Sequence, residues 1–362
     1  MDCSFEPDLS LDVWAESLMN SLEGRRHPLS ASIELTERCN LSCVHCYINQ
    51  SPNNRDVQAR ELTTEQWKEV IDQIADAGCL FLLITGGEPL LRKDFKEIFL
   101  HARKRGMIVS LFSNATMLTA ELADFLADYD LHSLEVSLYG ATEETYEKVT
   151  GLPGSYERCL HGIELALERK IDISLKTVLI KLNFHELQAL KTLAERFGVK
   201  YRYDGLLWPR LDGKKEISFY QIPYEDLLRL DEEDPDRLGA WAEVSKTFEG
   251  QLLRSGRVIT CGAAFRSFHI DSYGNLSACM MLRNPSYNLR EMPFTVAWEE
   301  LGKLRELKRQ QHTECESCKI NALCQQCPGW SMQYFNDYET PVPFICELGK
   351  KRAERLCGDV IQ

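Results

Sequence analysis

Cys39, Cys43 and Cys46 stand in the run Cys39-Asn40-Leu41-Ser42-Cys43-Val44-His45-Cys46-Tyr47, with no fourth cysteine nearby to close the set. Thiolates at C-x3-C-x2-C spacing can hold an iron–sulfur cluster, and a cluster closed by four of them chiefly carries electrons. A cluster held by three keeps one iron open to an outside ligand, and chemistry can start there. The alternative is a zinc loop that adds His45. Adjacent His45 and Cys46 would then both have to turn toward one metal, whereas structural zinc ligands usually come as separated pairs. A second signal is Thr85-Gly86-Gly87-Glu88-Pro89, which follows the apolar run Leu80-Phe81-Leu82-Leu83-Ile84. A glycine pair after a buried strand lets backbone approach a ligand closely, because no Cβ intervenes. Glu88 offers a carboxylate acceptor for an ammonium group. Alone, this segment reads equally as a turn capped by a charged residue.

A second cysteine set lies toward the C-terminus: Cys261, Gly274-x4-Cys279, Cys315-x2-Cys318-x5-Cys324-x2-Cys327 and Cys346. Its first two members flank a hairpin signal, Asp271-Ser272-Tyr273-Gly274-Asn275. Two zinc ribbons are the alternative for this segment judged alone. The chain holds 14 cysteines, and its N-terminus has no positive region followed by an apolar run, so it carries no signal peptide. Metal ligation is expected rather than disulfides. The isolated Cys3, Cys79 and Cys159 read as buried small hydrophobes.

Together these motifs resemble the radical S-adenosylmethionine (SAM) enzymes, and the second cysteine set resembles the SPASM extension that carries auxiliary iron–sulfur clusters. The resemblance spans residues 31–348. It implies a [4Fe–4S] cluster on Cys39, Cys43 and Cys46 whose open iron binds the methionine part of SAM. Gly86, Gly87 and Glu88 match the segment that holds the SAM amino group, and Tyr47 matches a position near adenine. Ser113 and Asn114 are weaker SAM candidates, and Ser137 matches a contact to the SAM carboxylate or ribose. Thr150 stands where many relatives carry an arginine for that carboxylate. Two further [4Fe–4S] clusters follow from the resemblance: one on Cys261, Cys279 and Cys327, nearer the barrel, and one on Cys315, Cys318, Cys324 and Cys346. The nearer one either keeps an open iron or is closed by a remote residue such as Cys357. The gap of two between Cys324 and Cys327 departs from the commoner three.

These residues need a scaffold. The 362 residues exceed the usual span of one hydrophobic core. Strand-like and helix-like patterns alternate from 31 to 208, with strands expected near 31–37, 80–84, 108–112, 134–138, 173–180 and 199–207. Thr63-x-x-Gln66 forms a capping box before apolar positions Trp67, Val70, Ile71 and Ile74. Phe95, Ile98, Phe99 and Ala102 repeat that helical spacing, and helices are also expected over 156–167 and 186–197. Asn183 and Glu186 read equally as site residues or as a helix N-cap pair. Alternating units of this kind predict an α/β fold with a parallel sheet. Six of them give a partial (β/α)6 TIM-like barrel, with both signature motifs at the C-terminal strand ends where barrel enzymes do their chemistry. The expected organisation is an N-terminal extension (1–30), the barrel (31–209), a charge-rich solvated helical linker (210–256), a small cysteine-rich SPASM domain (257–348) and a tail (349–362).

The formal net charge of −13 disfavours nucleic acid. No apolar run approaches membrane-spanning length, and a cytoplasmic, oxygen-sensitive metalloprotein is expected. The SPASM resemblance implies an enzyme that generates a 5′-deoxyadenosyl radical and oxidatively modifies a ribosomally made precursor peptide (RiPP maturation), by crosslinking, thioether formation or excision. About thirty residues precede the first strand, fewer than an independent leader-binding domain needs, so a separate leader-peptide-binding protein is expected, with flavodoxin or ferredoxin as reductant. A radical SAM dehydrogenase or tetrapyrrole-modifying enzyme is the alternative. An anaerobic sulfatase maturase fits less well, because Met280 stands where those enzymes place an aspartate, and a non-catalytic electron carrier conflicts with the Gly86-Gly87-Glu88 match. Tyr139, Tyr203, Asp204, Trp208 and Arg210 lie at strand ends, the two rings Tyr203 and Trp208 reading as packing and Asp204 with Arg210 as a pair. No catalytic acid or base is assigned.

Overall fold

The six expected strands form β1 (Ser30–Glu34), β2 (Phe81–Thr85), β3 (Ile108–Ser113), β4 (Ser133–Ser137), β5 (Ile173–Val178) and β6 (Lys200–Asp204) in a computed structural model. It describes residues 17–356 apart from 19, 49, 215, 248–255, 311–314, 316–317 and 319. Each strand pairs in parallel with the next, so the chain crosses back between strands through helices, as parallel pairing requires. In β3 every second residue is buried (Val109, Leu111, Ser113), while Ser110 and Phe112 face cavities inside the barrel. The capping box forms as expected: Thr63 Oγ1 accepts from the Gln66 amide, and Gln66 Oε1 accepts from the Thr63 amide. The helix it starts, Thr64–Asp76, buries Trp67, Val70, Ile71 and Ile74 against the sheet.

The cysteine-rich segment begins inside the same sheet. Its first strand, β7 (Ser267–Ile270), pairs in parallel with β1, and β8 (Asn275–Ser277) and β9 (Tyr287–Asn288) add on antiparallel. One nine-stranded sheet results, in the order β6-β5-β4-β3-β2-β1-β7-β8-β9. The β1 edge is thereby paired rather than left as a row of open backbone groups.

Three expectations change. The 210–256 segment is not a solvated linker among its described residues. Helix Tyr224–Glu233 buries Leu227, Leu228 and Leu230, and Asp231 is fully buried between Arg237 and Arg352 (2.6 and 2.8 Å). Charge density along the chain gave no sign that nearby Arg237 and distant Arg352 would together neutralise this carboxylate. The boundary at 348 falls inside the helix Pro343–Leu356, which carries Arg352. Asn183 and Glu186 do not cap the helix Leu187–Phe197. Asn183 ties Tyr139 O, Val178 O and the Ile180 amide together, and Glu186 accepts from the Ala141 and Thr142 amides and the Thr142 and Thr145 hydroxyls at the start of helix Glu143–Thr150. Cys79 and Cys159 are buried as expected; Cys3 and Cys357 lie outside the described residues.

Candidate active site

Beyond β1 the chain forms the loop that carries the first three cysteines, and the backbone sews it down. The Gly87 amide donates to Thr36 O (2.7 Å), the Glu88 amide to Arg38 O (2.9 Å) and the Cys39 amide to Gln50 O (2.9 Å). The Ser42 and Val44 amides donate to Thr150 O and Val149 O, carbonyls at the C-terminus of helix Glu143–Thr150. Thr150 thus supports the loop through its backbone. The glycine pair is a steric necessity here. Gly86 has φ +146°, and a Cβ on Gly87 would lie 2.6 Å from Glu37 O and closer still to Arg38 O. Arg38 itself is buried in a bidentate pair with Glu61 (2.9 and 3.0 Å), whose carboxylate also accepts from the Thr36 hydroxyl.

Cys39, Cys43 and Cys46 line one cavity of about 310 Å³ at the C-terminal ends of the strands. Tyr47, Gly86, Gly87, Ser113, Asn114 and Ser137 share its wall. None of the three thiols is in a disulfide, and the Leu41 amide (3.4 Å) and Asn114 Nδ2 (3.7 Å) point at Cys39 Sγ, donors suited to a thiolate. Burial, with Glu88 next, pushes the Cys39 thiol up to about 12, and burial drives Cys43 up as well. Among the described residues no three His, Cys, Asp or Glu side chains close around a single ion; the three thiols bound a cavity, room for a group larger than one ion. His45 does not complete a zinc set. Its ring packs edge-on against Tyr139 (4.5 Å), its Nδ1 is buried without a hydrogen bond, and burial lowers it to about 4.

Glu88 sits behind the wall rather than on it. It is fully buried, accepting from the Ser113 hydroxyl (2.9 Å) and the Asn114 (2.8 Å) and Leu90 (3.1 Å) amides. Burial pushes its carboxyl up to about 7 against the pull of those donors. Its visible work is to fix Ser113 and Asn114. The wall also includes His45, weighed above as a zinc ligand, and Phe112, Glu135 and Lys176, which no motif singled out. A charged residue in an apolar strand, as in Leu134-Glu135-Val136, was the available signal. Of the strand-end candidates, Tyr139, Asp204 and Trp208 face the cavity. Tyr203 instead donates to Asp234, and Arg210 pairs with Asp212 (2.9 Å) rather than Asp204.

A buried charge cluster joins the cavity to the C-terminal segment. Tyr47 donates to Glu34 Oε1 (3.2 Å), which also accepts from Arg283 (2.6 Å), while Glu34 Oε2 faces His269 Nε2 at 3.6 Å. Burial alone would raise the Glu34 carboxyl; His269 and Arg283 outweigh it and hold it at about 2.

The remaining cysteines fall where two groups can form. Cys261, Cys315, Cys318, Cys324, Cys327 and Cys346 line a second cavity of about 110 Å³, while Cys279 lies beside Met280 and Met281 at the wall of a third. Burial pushes Cys324 and Cys327 up to about 11, and their neighbours differ: Cys315, Cys318 and Cys346 act on Cys324, and Cys279 and Cys261 act on Cys327. A Cβ on Gly349 would lie 2.7 Å from Cys324 Cα, so the helix Pro343–Leu356 packs directly on that cysteine.

Residues 33–194 match the radical SAM superfamily. Along most of its length the chain is similar to two Methanosarcina barkeri proteins. It is 30% identical over 344 residues to an AdoMet-dependent heme synthase (88% of this chain, 96% of that one). It is 36% identical over 335 residues to an Fe-coproporphyrin III synthase (80% of each). This chain belongs to the radical SAM superfamily. The radical SAM protein is also 28% identical over 318 residues to the mycofactocin maturase MftC of Mycolicibacterium smegmatis (82% of this chain, 77% of that one). Its fold matches SAM-bound Streptococcus suis SuiB with a TM-score of 0.69, 16% identity, and 94% and 84% of the two chains covered. It is thus a radical SAM enzyme with a SPASM-type C-terminal segment, using SAM and a [4Fe–4S] cluster. No described helix is long and apolar enough to cross a membrane.

Proposed function

We propose that this enzyme oxidatively modifies a ribosomally made precursor peptide in the 310 Å³ cavity. Cys39, Cys43 and Cys46 would hold the [4Fe–4S] cluster, which when reduced supplies the electron that cleaves SAM and so starts hydrogen abstraction. Gly86 and Gly87 offer close backbone approach to the SAM amino group, with Ser113 and Asn114 set by Glu88, and with Ser137 and Tyr47 on the same wall. Cys261, Cys279 and Cys327 would hold one auxiliary cluster, and Cys315, Cys318, Cys324 and Cys346 another. The reading includes a cytoplasmic setting, a reductant of the flavodoxin or ferredoxin class, and a separate leader-binding protein.

The charge of the cavity carries the substrate class. Among the described residues of its wall Lys176 is the single Lys or Arg, on the strand between those of Glu135 and Asp204. Lys176 already leans on Glu135 (3.9 Å), which Arg202 grips at 2.5 and 2.6 Å. With Glu135 neutralised by Lys176 and Arg202, the wall offers no spare cation to the several propionates of a tetrapyrrole, which would be desolvated without partners; a neutral peptide segment needs none. The identity to the two Methanosarcina barkeri proteins favours the second reading, modification of a tetrapyrrole.

Anaerobic co-expression with the short open reading frame nearest this gene, followed by mass spectrometry, tests the first reading. Fe-coproporphyrin III serves as the parallel substrate. Loss of two hydrogens from the peptide indicates a crosslink or thioether, and loss of a larger fragment indicates excision. An untouched peptide beside a converted tetrapyrrole would replace the first reading by the second.

A further inference from the structure

Trp208 lies between the two centres. Its indole lines the cavity of Cys39, Cys43 and Cys46, and its ring stacks on buried Trp330 with centroids 4.1 Å apart and planes inclined by 15°. Beside Gly329, the point where a Cβ would stand lies 3.4 Å from Trp208 Cζ3 and 3.5 Å from Cys327 Sγ, so ring and sulfur are within about 7 Å of each other. Cys327 opens the helix Pro328–Phe335, and the Trp330 amide donates to its carbonyl oxygen (3.0 Å).

We infer that the Trp208 indole is the bridge by which an electron leaves the substrate in the cavity for the iron–sulfur group that Cys327 helps to hold. This rests on the oxidative reading above and on Cys261, Cys279 and Cys327 as ligands. The balance is simple. One hydrogen atom passes from a substrate C–H bond to the 5′-deoxyadenosyl radical, forming 5′-deoxyadenosine. The carbon radical left behind gives one electron through the ring to the oxidised iron–sulfur group, which is reduced by one electron. The resulting cation loses a proton to water or is captured by a neighbouring nucleophile with loss of its proton. Trp208 bridges and is not consumed.

The test needs no substrate. Anaerobic holoenzyme, its iron and sulfide counted, is flashed in the indole band, and bleaching of the iron–sulfur absorption is followed. An excited indole coupled to the group reduces it. The wild type is expected to bleach, Trp208→Phe to lose the bleach at equal iron content, and Trp330→Phe and Trp298→Phe to keep it; Trp298 packs elsewhere, on Phe268 and Phe294. Bleaching that survives Trp208→Phe, or is absent from iron-replete wild type, overturns the bridge. Iron sufficient for only one cluster overturns it through its ligand set, and iron analysis reads that separately. A second readout uses turnover on the co-expressed peptide. In Trp208→Leu, product per 5′-deoxyadenosine released is expected to fall, whatever the rate of release, and an unchanged ratio would refute the bridge. If the peptide is not the substrate, the flash result still stands.

Discussion

Gly87→Ala should disable the site with a single methyl group. The added Cβ would meet Glu37 O at 2.6 Å and Arg38 O more closely, where ordinary contact begins near 3.4 Å. The loop before Cys39 must therefore retreat by about 1 Å to clear Arg38 O, or β2 must move away from it. Neither is easy, because the Gly87 and Glu88 amides are bonded to Thr36 O and Arg38 O, and Arg38 is locked on Glu61. Overpacking of this kind costs roughly 1–3 kcal/mol of stability. A displacement approaching 1 Å in a reacting constellation costs on the order of 10²-fold in rate, about 2.7 kcal/mol. The assay is dithionite-driven 5′-deoxyadenosine release by anaerobically reconstituted enzyme, with SAM affinity measured in parallel. Gly239→Ala is the control: its Cβ meets nothing within 4 Å inside the helix Pro235–Thr247, and the change should add about 0.5–1 kcal/mol of stability. Wild-type release and SAM affinity in Gly87→Ala, at full iron loading, would show that the close approach of these two backbones does not set the site.

Glu61→Gln removes the charge that two buried guanidinium groups share, Arg38 at 2.9 Å and Arg92 at 3.9 Å. A loss of about 3–5 kcal/mol in urea unfolding is expected, and an unshifted midpoint would remove the pair from any account of loop stability. Glu88, raised from 4.5 to about 7 on folding, makes the folded state bind more protons between those values. The stability it contributes is full below about pH 4.5 and lost as pH rises through 7, at most about 3 kcal/mol. Glu88→Gln should flatten that slope in urea melts of the metal-free chain, and an identical slope would refute the burial argument. Gly349→Val, which drives a side chain into Cys324, should cost one cluster's worth of iron and sulfide by chemical analysis; full iron would mean that Cys324 is not a ligand.

Local patterns carried much of the structure. Each expected strand in 31–208 exists because short apolar runs between helical repeats have few other ways to bury themselves, and the Thr63-Gln66 box needs only its own four residues. The cysteine spacings and the glycine pair were legible for the same reason: the chemistry that they suit is specified within a few residues. The charged wall of the cavity was half legible, since Glu135 and Lys176 interrupt apolar strands, but which face they occupy depends on barrel closure.

What the sequence by itself determined, then, is the set of parts: three thiols in one loop, a glycine turn after a strand, six βα units and a cysteine-rich end. Only the tertiary structure decided how they meet. It paired β7 with β1, so that the SPASM-type segment extends the barrel sheet. It set Arg283 on Glu34 and Arg352 on Asp231, turning carboxylates into buried anchors. It stacked Trp208 on Trp330 beside Cys327. These contacts join residues far apart in the chain, and a contact of that kind leaves no periodicity or spacing behind, because its energy comes from shape and charge brought together only when the chain folds.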